Sequence, residues 1–553
     1  MGTVESDIHP SQEARGSPGR EPRLERTRSE GGDEQIGQRR LAAFSRAVLL
    51  CSVLPAAASF GAQAHEALQK AAVLVQEGRL EEADQQAQLA LSDPETRAAA
   101  CSVLGTIRLQ QNRLGEGAEL LQEAIRLEPR FLGAHLNLAQ IYTLQGSELA
   151  VPVFRRVLEL DPSNAAARMA LARSETEKGN YQRSLELAQP ALAAFKQSPE
   201  GLFILATDFL KTGDRSSATA LAGGSRRLAG VPPAWSVSFA QLFVKDGLVA
   251  EGIDILERAR EADPSSYELA FALGGAYLVK GDPVRALEAY DLALGLKPAS
   301  VTALRQAAAV AERQGELERS LSYWMRAKKL AADDPQILLG FGRVCLKMDL
   351  LEDAEPALIR AAGLRPGEPA YQYTLAVAKV GKRQYEAAQG LLEPLALKQP
   401  DDAPLQYALG SVLYMQGQLA EADARLRESL RLDPDQLASH YYLALVARDQ
   451  GHDAEAIEVL EELLRRHPDH ASSCEALGGL LMNGRRYAEA ERLLRRAIEL
   501  NPKSVKANYQ LGLLLARTGR REEADKQLEM AKSLREEDDA TSRLQLRLLD
   551  PDA

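Results

Sequence analysis

A 34-residue pattern recurs fourteen times between Ala64 and about Leu534, and no other property of this chain restricts its fold as tightly. Repeats start at Ala64, Ala98, Leu132, Ala165, Pro199, Pro233, Tyr267, Val301, Pro335, Pro369, Ala403, Leu437, Ala471 and Val505. One interval, Leu132 to Ala165, is 33 residues. A segment this short cannot bury its own apolar face, so consecutive repeats must lean on one another and share one core. In the repeat Tyr267–Ser300, Leu269, Leu273, Gly274 and Tyr277 fall at helical spacing in the first half. Ala286, Tyr290, Ala293, Leu294 and Leu296 do so in the second. Each repeat therefore reads as two short amphipathic helices. Gly281 suits the left-handed residue that closes the first, and Pro298 ends the second.

Small residues keep strict register. The eighth residue of each repeat is Ala or Gly, as at Ala71, Gly105, Gly274, Gly342 and Gly512. The twentieth is Ala, Gly or Ser, from Ala83 through Ala286 and Ser320 to Ala524. Such positions let paired helices approach closely, and a large side chain there overpacks the contact.

On these residues the chain resembles the tetratricopeptide repeat family. Leu273-Gly274, Tyr277, Ala286, Tyr290, Ala293 and Pro298 fall on the family's offsets, and Pro129, Pro162, Pro264, Pro366, Pro400, Pro434, Pro468 and Pro502 repeat the closing proline. Neither Trp235 nor Trp324 occupies the family's fourth position. The resemblance covers about 85% of the chain. It implies an all-α fold, a right-handed α-α superhelix of about 14 helix–turn–helix repeats. It also implies protein binding through the concave groove and says little about the partner.

The ends are different in character. Residues 1–40 are polar and without apolar period, the composition of a disordered tail. Within 41–63, Leu41 to Phe60 is apolar and Ala-rich, preceded by Arg39-Arg40 and followed by Ala62-Gln63-Ala64. Those are the parts of a secretory signal, interrupted by Arg46 and Pro55; an uncleaved anchor and an apolar cap on the first repeat are the alternatives. Repeats one to five span 64–232 and repeats six to fourteen 233–538. Residues 539–553 are expected to form a C-terminal cap helix and tail. Gly223-Gly224 and Pro232-Pro233 suggest a bend between the two sets.

Chemistry is sparse. The segments outside the array are too short for a catalytic core, and no Walker loop, GxSxG or HExxH is present. The reading is a non-enzymatic protein with no cofactor and no metal. A net charge of -11 argues against nucleic acid as a partner. Cys101, Cys345 and Cys474 sit at packing positions of first helices, and Cys51 lies in the apolar run. His467-Pro468-Asp469-His470, a tight His pair, falls in a repeat turn and reads as solvated.

By the resemblance, positions 2, 5, 6, 9, 12 and 13 of each repeat face the groove. They run neutral at Gln69, Gln110, Asn137 and Gln140, then apolar at Phe203, Val237, Phe271 and Leu278. From the eighth repeat they carry cations, namely Arg305, Arg313, Arg343, Lys347 and Arg517. Tyr373, Tyr407, Tyr414, Tyr441, Tyr442 and Tyr509 accompany them. Acids in this zone are few: Glu312, Asp449 and Glu475. These tyrosines are either packing residues or a ladder for a bound peptide, and a cationic ladder calls for an acidic segment with apolar anchors. The family's carboxylate clamp is absent, because Asn137 lacks a Lys or Arg at Ser102 or Thr106. Function is thus expected to be a scaffold for protein or peptide segments, in a bacterial cell-envelope or secretion assembly if 41–63 exports or anchors the chain. An accessory subunit of a membrane-associated enzyme or polysaccharide machinery is the alternative, and a cytoplasmic location follows if 41–63 is only a cap.

Overall fold

The structure, a computed structural model, describes residues 62–224 and 231–549, with side chains over 63–224 and 231–536. The tail 1–40, the apolar run Leu41 to Phe60 and residues 225–230 of the expected bend lie outside the described residues. Among the described residues all regular structure is helical. The chain divides at Asp282/Pro283 into two compact units, N-terminal and C-terminal, so this boundary falls between the two helices of the seventh repeat. The sequence boundary at 232/233 rests on glycine and proline content alone. Each unit is an all-α solenoid of helix–turn–helix repeats.

From Leu132 onward every expected repeat start is the first residue of a helix; the first two begin slightly earlier, at Ala62 and Arg97. Several starts are fixed by the residue before them. The Ser266, Ser300 and Ser504 hydroxyls and the Asp334 and Asp402 carboxylates accept backbone N–H groups of the first turn, supplying partners that a helix start otherwise lacks. The corner between the two helices is equally regular. Position 15 is left-handed in every repeat, and ten repeats place Gly there, as at Gly281 (φ 79°). Asn112, Asp349, Arg383 and Arg485 hold the same corner in the other four, the two arginines at a steric cost glycine avoids.

The register of small residues becomes a repeated contact. A Cβ on Gly342 would lie 2.5 Å from Leu358, one on Gly410 2.8 Å from Leu426 and one on Gly478 2.8 Å from Leu494. Position 8 thus receives the position-24 leucine of its own repeat. At position 20, Ala286, Ala354, Ala422 and Ala490 are fully buried, and the Ser320 hydroxyl donates to the Ala308 carbonyl at 2.8 Å. Trp324 replaces leucine at position 24 of its repeat, and its indole fits only because Gly340 faces it. Cys101, Cys345 and Cys474 are buried and unpaired; burial pushes the Cys345 thiol up to about 12.

Two local departures have identifiable causes. The second helix of the fourth repeat breaks into Tyr181–Ala188, a 3-10 turn Gln189–Ala191 and Leu192–Gln197, because Pro190 offers no N–H. At the C-terminus the expected separate cap is instead a continuation: 539–549 belong to one helix, Arg521–Leu549, that begins as the second helix of the last repeat.

Asp208 is a buried acid in the N-terminal unit. Its side chain accepts from the Thr176 hydroxyl at 2.8 Å, and its second carboxylate oxygen has no hydrogen-bond partner. Burial pushes its carboxyl up, more than the Ser184 and Thr176 hydroxyls lower it. A carboxyl raised in the folded state favours folding at low pH and loses that advantage as pH rises from its unfolded to its folded value. Asp208→Asn is therefore expected to raise the melting temperature at pH 7, with the gain shrinking toward pH 4. Thermal melts of parent and variant across that range check the sign, and a gain that grows on acidification refutes it.

Candidate protein-binding face

Successive first helices touch one another within each unit, as Pro199–Thr212 with Pro233–Lys245, and Ala403–Met415 with Leu437–Asp449. The positions they share between repeats therefore lie side by side. In the C-terminal unit this juxtaposition consumes most of the expected binding groups. Glu312, buried on Val301–Arg313, accepts from Arg343 Nε at 2.8 Å and Nη2 at 2.6 Å, and meets Lys347 Nζ at 2.8 Å. Burial alone would push the Glu312 carboxyl up; Arg343 and Lys347 outweigh it and hold the group below the usual carboxylate range. Arg343 and Lys347 thus share one buried carboxylate, which offsets one of their two charges within the chain. Arg305 donates to Gln336 and lies 4.0 Å from Asp334.

The tyrosines divide in the same way. Tyr441 and Tyr442 are 7% and 5% exposed, which favours the packing alternative for these two: they sit in the core. Tyr442 packs edge-on against Tyr407, Tyr414 and Tyr441 at 5.6–5.8 Å between ring centres, a geometry aromatic quadrupoles favour. The Tyr414 hydroxyl donates to Asp449 at 2.8 Å and accepts from Arg448 at 3.1 Å; burial, then the Asp449 carboxylate, pushes it upward. Tyr373 and Tyr407 are half-buried. Tyr509, 51% exposed, and Arg517 stay open to solvent.

In the N-terminal unit the neutral zone is also internally satisfied where Asn137 Nδ2 donates to the Thr106 hydroxyl at 2.8 Å. The apolar zone behaves differently. Phe203, Val237, Phe271 and Leu278 remain half-buried on three consecutive first helices, and Val279 beside them is 61% exposed. Beneath lies Phe239, fully buried, stacked on Trp235 at 4.7 Å, edge-on to Phe243 at 5.2 Å and tilted to Phe203 at 6.3 Å. This aromatic floor meets the strip at Phe203, and the strip's other side chains stay half-buried or exposed. Lys245 and Lys280 are exposed on the last turns of the same helices, and Lys211 pairs with Asp246 at 3.0 Å. Sequence reading included the strip but missed Val279 and gave most weight to the Arg/Tyr zone. The signal that could have redirected it is complementarity between position 12 of one repeat and position 9 of the next, as in Glu312 and Arg343.

Among the described residues no group of three or more His, Cys, Asp or Glu side chains converges to hold a metal, and no helix is long and apolar enough to cross a membrane. His470 bonds the Ser473 hydroxyl at 2.6 Å through Nδ1 and packs edge-on to Tyr441.

Comparison with known proteins bears on the repeats alone. A tetratricopeptide repeat family model matches residues 103–148, 142–199, 237–301, 373–424, 407–471 and 476–534. The chain is 22% identical over 293 residues to Protein CTR9 homolog of Arabidopsis thaliana, covering 51% of this chain and 27% of that protein, so it spans about a quarter of the relative's length. Among solved structures it is similar to the Cut9-Hcn1 APC/C hetero-tetramer (13% identity, 86% of this chain and 94% of that one, TM-score 0.38). It is also similar to yeast Tom70 (16% identity, 86% and 96%, TM-score 0.33). The family matches together span more than half of the sequence and coincide with the observed helical hairpins, and this chain accordingly belongs to the tetratricopeptide repeat family, as a protein–protein interaction scaffold.

Proposed function

We propose that the protein is a non-enzymatic scaffold that holds a segment of another protein on the first-helix face of its N-terminal unit, through the strip Phe203, Val237, Phe271, Leu278 and Val279. The observation that carries this reading is the strip itself: apolar groups left accessible beside an aromatic floor, whereas the cationic and tyrosine groups of the C-terminal unit are largely engaged. Apolar side chains of the partner would supply the anchors, since removal of such area from water drives association. Lys245 and Lys280 favour acidic residues flanking those anchors. Tyr509 and Arg517 offer a smaller contact of the same chemistry at the last repeat. For the setting we propose an exported or membrane-anchored protein of a bacterial cell-envelope or secretion assembly, on the basic-apolar-small order of residues 39–64.

Crosslinking in the native host followed by mass spectrometry tests the face. A photoreactive residue at position 279 is expected to capture a partner segment, and Val237→Glu with Val279→Glu to reduce partner recovery about tenfold or more. Undiminished recovery from the double variant would remove the strip from the interface. Fractionation with N-terminal sequencing tests the setting: an intact N-terminus in the soluble cytoplasmic fraction contradicts it. Co-recovery with a membrane enzyme or polysaccharide machinery would make the protein an accessory subunit instead.

A further inference from the structure

The second helices of the C-terminal unit change character partway along. In the eleventh to thirteenth repeats their outer positions carry ion pairs along the helix: Arg427 with Asp423, Arg431 with Glu428, Arg466 with Glu462 and Arg495 with Glu491, all at 2.7–2.8 Å. In the seventh to ninth repeats three of the equivalent positions are apolar instead. Met325 and Ile359 stand where Arg427 and Arg495 stand later, and Leu292 stands where Glu428 and Glu462 do. With Leu296, Leu330 and Leu364 on the closing turns, these side chains are 43–51% exposed. Gly295 and Gly363 occupy the place of Arg431 and Arg465, and a Cβ on either would meet nothing within 4 Å. Neither glycine has a positive φ. Nothing inside the chain therefore requires glycine at these two helical positions, and both leave backbone open to close approach from outside.

The three helices are neighbours, since Arg319 of the second bonds Asp291 of the first, and Arg360 of the third bonds Asp333 in the turn after the second. The apolar side chains thus form one stripe across Pro283–Leu296, Leu317–Leu330 and Leu351–Leu364. Arg326 and Lys329 border it as exposed cations, while Asp291 is paired with Arg319, and Arg360 and Asp333 offset each other.

We propose that this stripe is a second docking surface, on the opposite helices from the first-helix face, and that its occupant is an acidic amphipathic helix of another protein. Charge complementarity selects that occupant: the rim is cationic although the chain as a whole carries -11. A second copy of the same stripe would bring like charges together. An anionic bilayer fits less well, because Glu318, Glu352 and Asp353 are exposed on the first turns of the same helices and would face the same plane. A helix laid along the stripe meets the apolar row with one face and the cations with its edges.

The probe is a fluorescent peptide of about 18 residues with leucines at helical spacing flanked by glutamates. A scrambled peptide and one with lysine for glutamate are the comparators, each titrated with the full-length protein and followed by anisotropy. The acidic amphipathic peptide is expected to bind at least about tenfold tighter than either comparator and to weaken with salt. Measured with Val237→Glu and Val279→Glu already in place, so that the first-helix strip cannot hold the probe, Met325→Glu with Ile359→Glu, and separately Lys329→Glu, should each lose about tenfold, whereas Leu89→Glu, at an exposed apolar residue of the first repeat, should lose nothing. All three side chains on the stripe are substantially exposed, and thermal melts confirm that the variants fold; if the double variant does not, Lys329→Glu decides. Equal binding of the scrambled peptide, or indifference to the folded stripe variants, overturns the proposal. So does cosedimentation with phosphatidylserine vesicles that the double variant abolishes while the peptide goes unbound.

Discussion

Truncation of Phe239 to alanine is expected to destabilise the N-terminal unit by about 3–5 kcal/mol. The ring is fully buried, and three aromatic neighbours from its own helix and the preceding first helix close around it. Trp235 and Phe243 lie one helical turn away on either side, so the backbone holds them in place and the cavity cannot collapse cheaply. The effect should be local as well as large. In a solenoid a repeat contacts only its neighbours, so stability is transmitted from repeat to repeat rather than shared at once. Amide exchange should therefore accelerate most in Pro199–Thr212, Pro233–Lys245 and Tyr267–Lys280, and little in Ala471–Asn483 or Val505–Arg517. Urea titration measures the total. A loss below about 1 kcal/mol, or exchange that rises evenly along the chain, contradicts the assigned role of the aromatic floor.

The second large effect concerns Glu312. Replacement by glutamine keeps the shape but removes the charge that two cations converge on, leaving Arg343 and Lys347 close together without their acid. Breaking a buried pair costs about 3–5 kcal/mol when all partners are buried. Arg343 and Lys347 are partly solvated, so about 1–3 kcal/mol is expected here. The pH dependence separates charge from packing. A carboxyl held below its unfolded value contributes stability above that value and loses it as pH falls through the folded one. Glu312→Gln should therefore show its full penalty at pH 7 and a diminished one below about pH 4, opposite in sense to the gain expected from Asp208→Asn. Urea titrations of parent and variant at both pH values are the measurement. An equal penalty at both would mean that shape, not charge, sets the contribution of Glu312.

These two residues also mark where sequence reading stops. Glu312 is one of few acids in a zone of Arg and Tyr, and sequence alone counts it as a minor subtraction from a cationic groove. In the fold it pairs with two of those cations and offsets one of their charges, because position 12 of one repeat sits over positions 9 and 13 of the next. Tyr441 and Tyr442 illustrate the same limit. Adjacent residues on one helix cannot both be assigned to core or groove from period alone; in the fold Tyr407 and Tyr414 of the previous repeat close over Tyr442, and His470 packs on Tyr441. Asp208 reads from sequence as one more polar residue on a first helix; only packing against Thr176 from the preceding repeat shows that its carboxylate is enclosed.

Period, small residues and corner glycines by themselves determine the helices, their limits and the partner of each helix within a repeat. Those are properties of short stretches of chain: helical spacing selects the buried face, a left-handed corner needs glycine or tolerates little else, and a small residue at position 8 admits the leucine at position 24. Which polar and aromatic groups remain available to a partner is decided only in the assembled structure. Availability depends on what the next repeat places opposite each side chain, some 31 to 35 residues away, and that pairing is set by how repeats stack rather than by any one repeat.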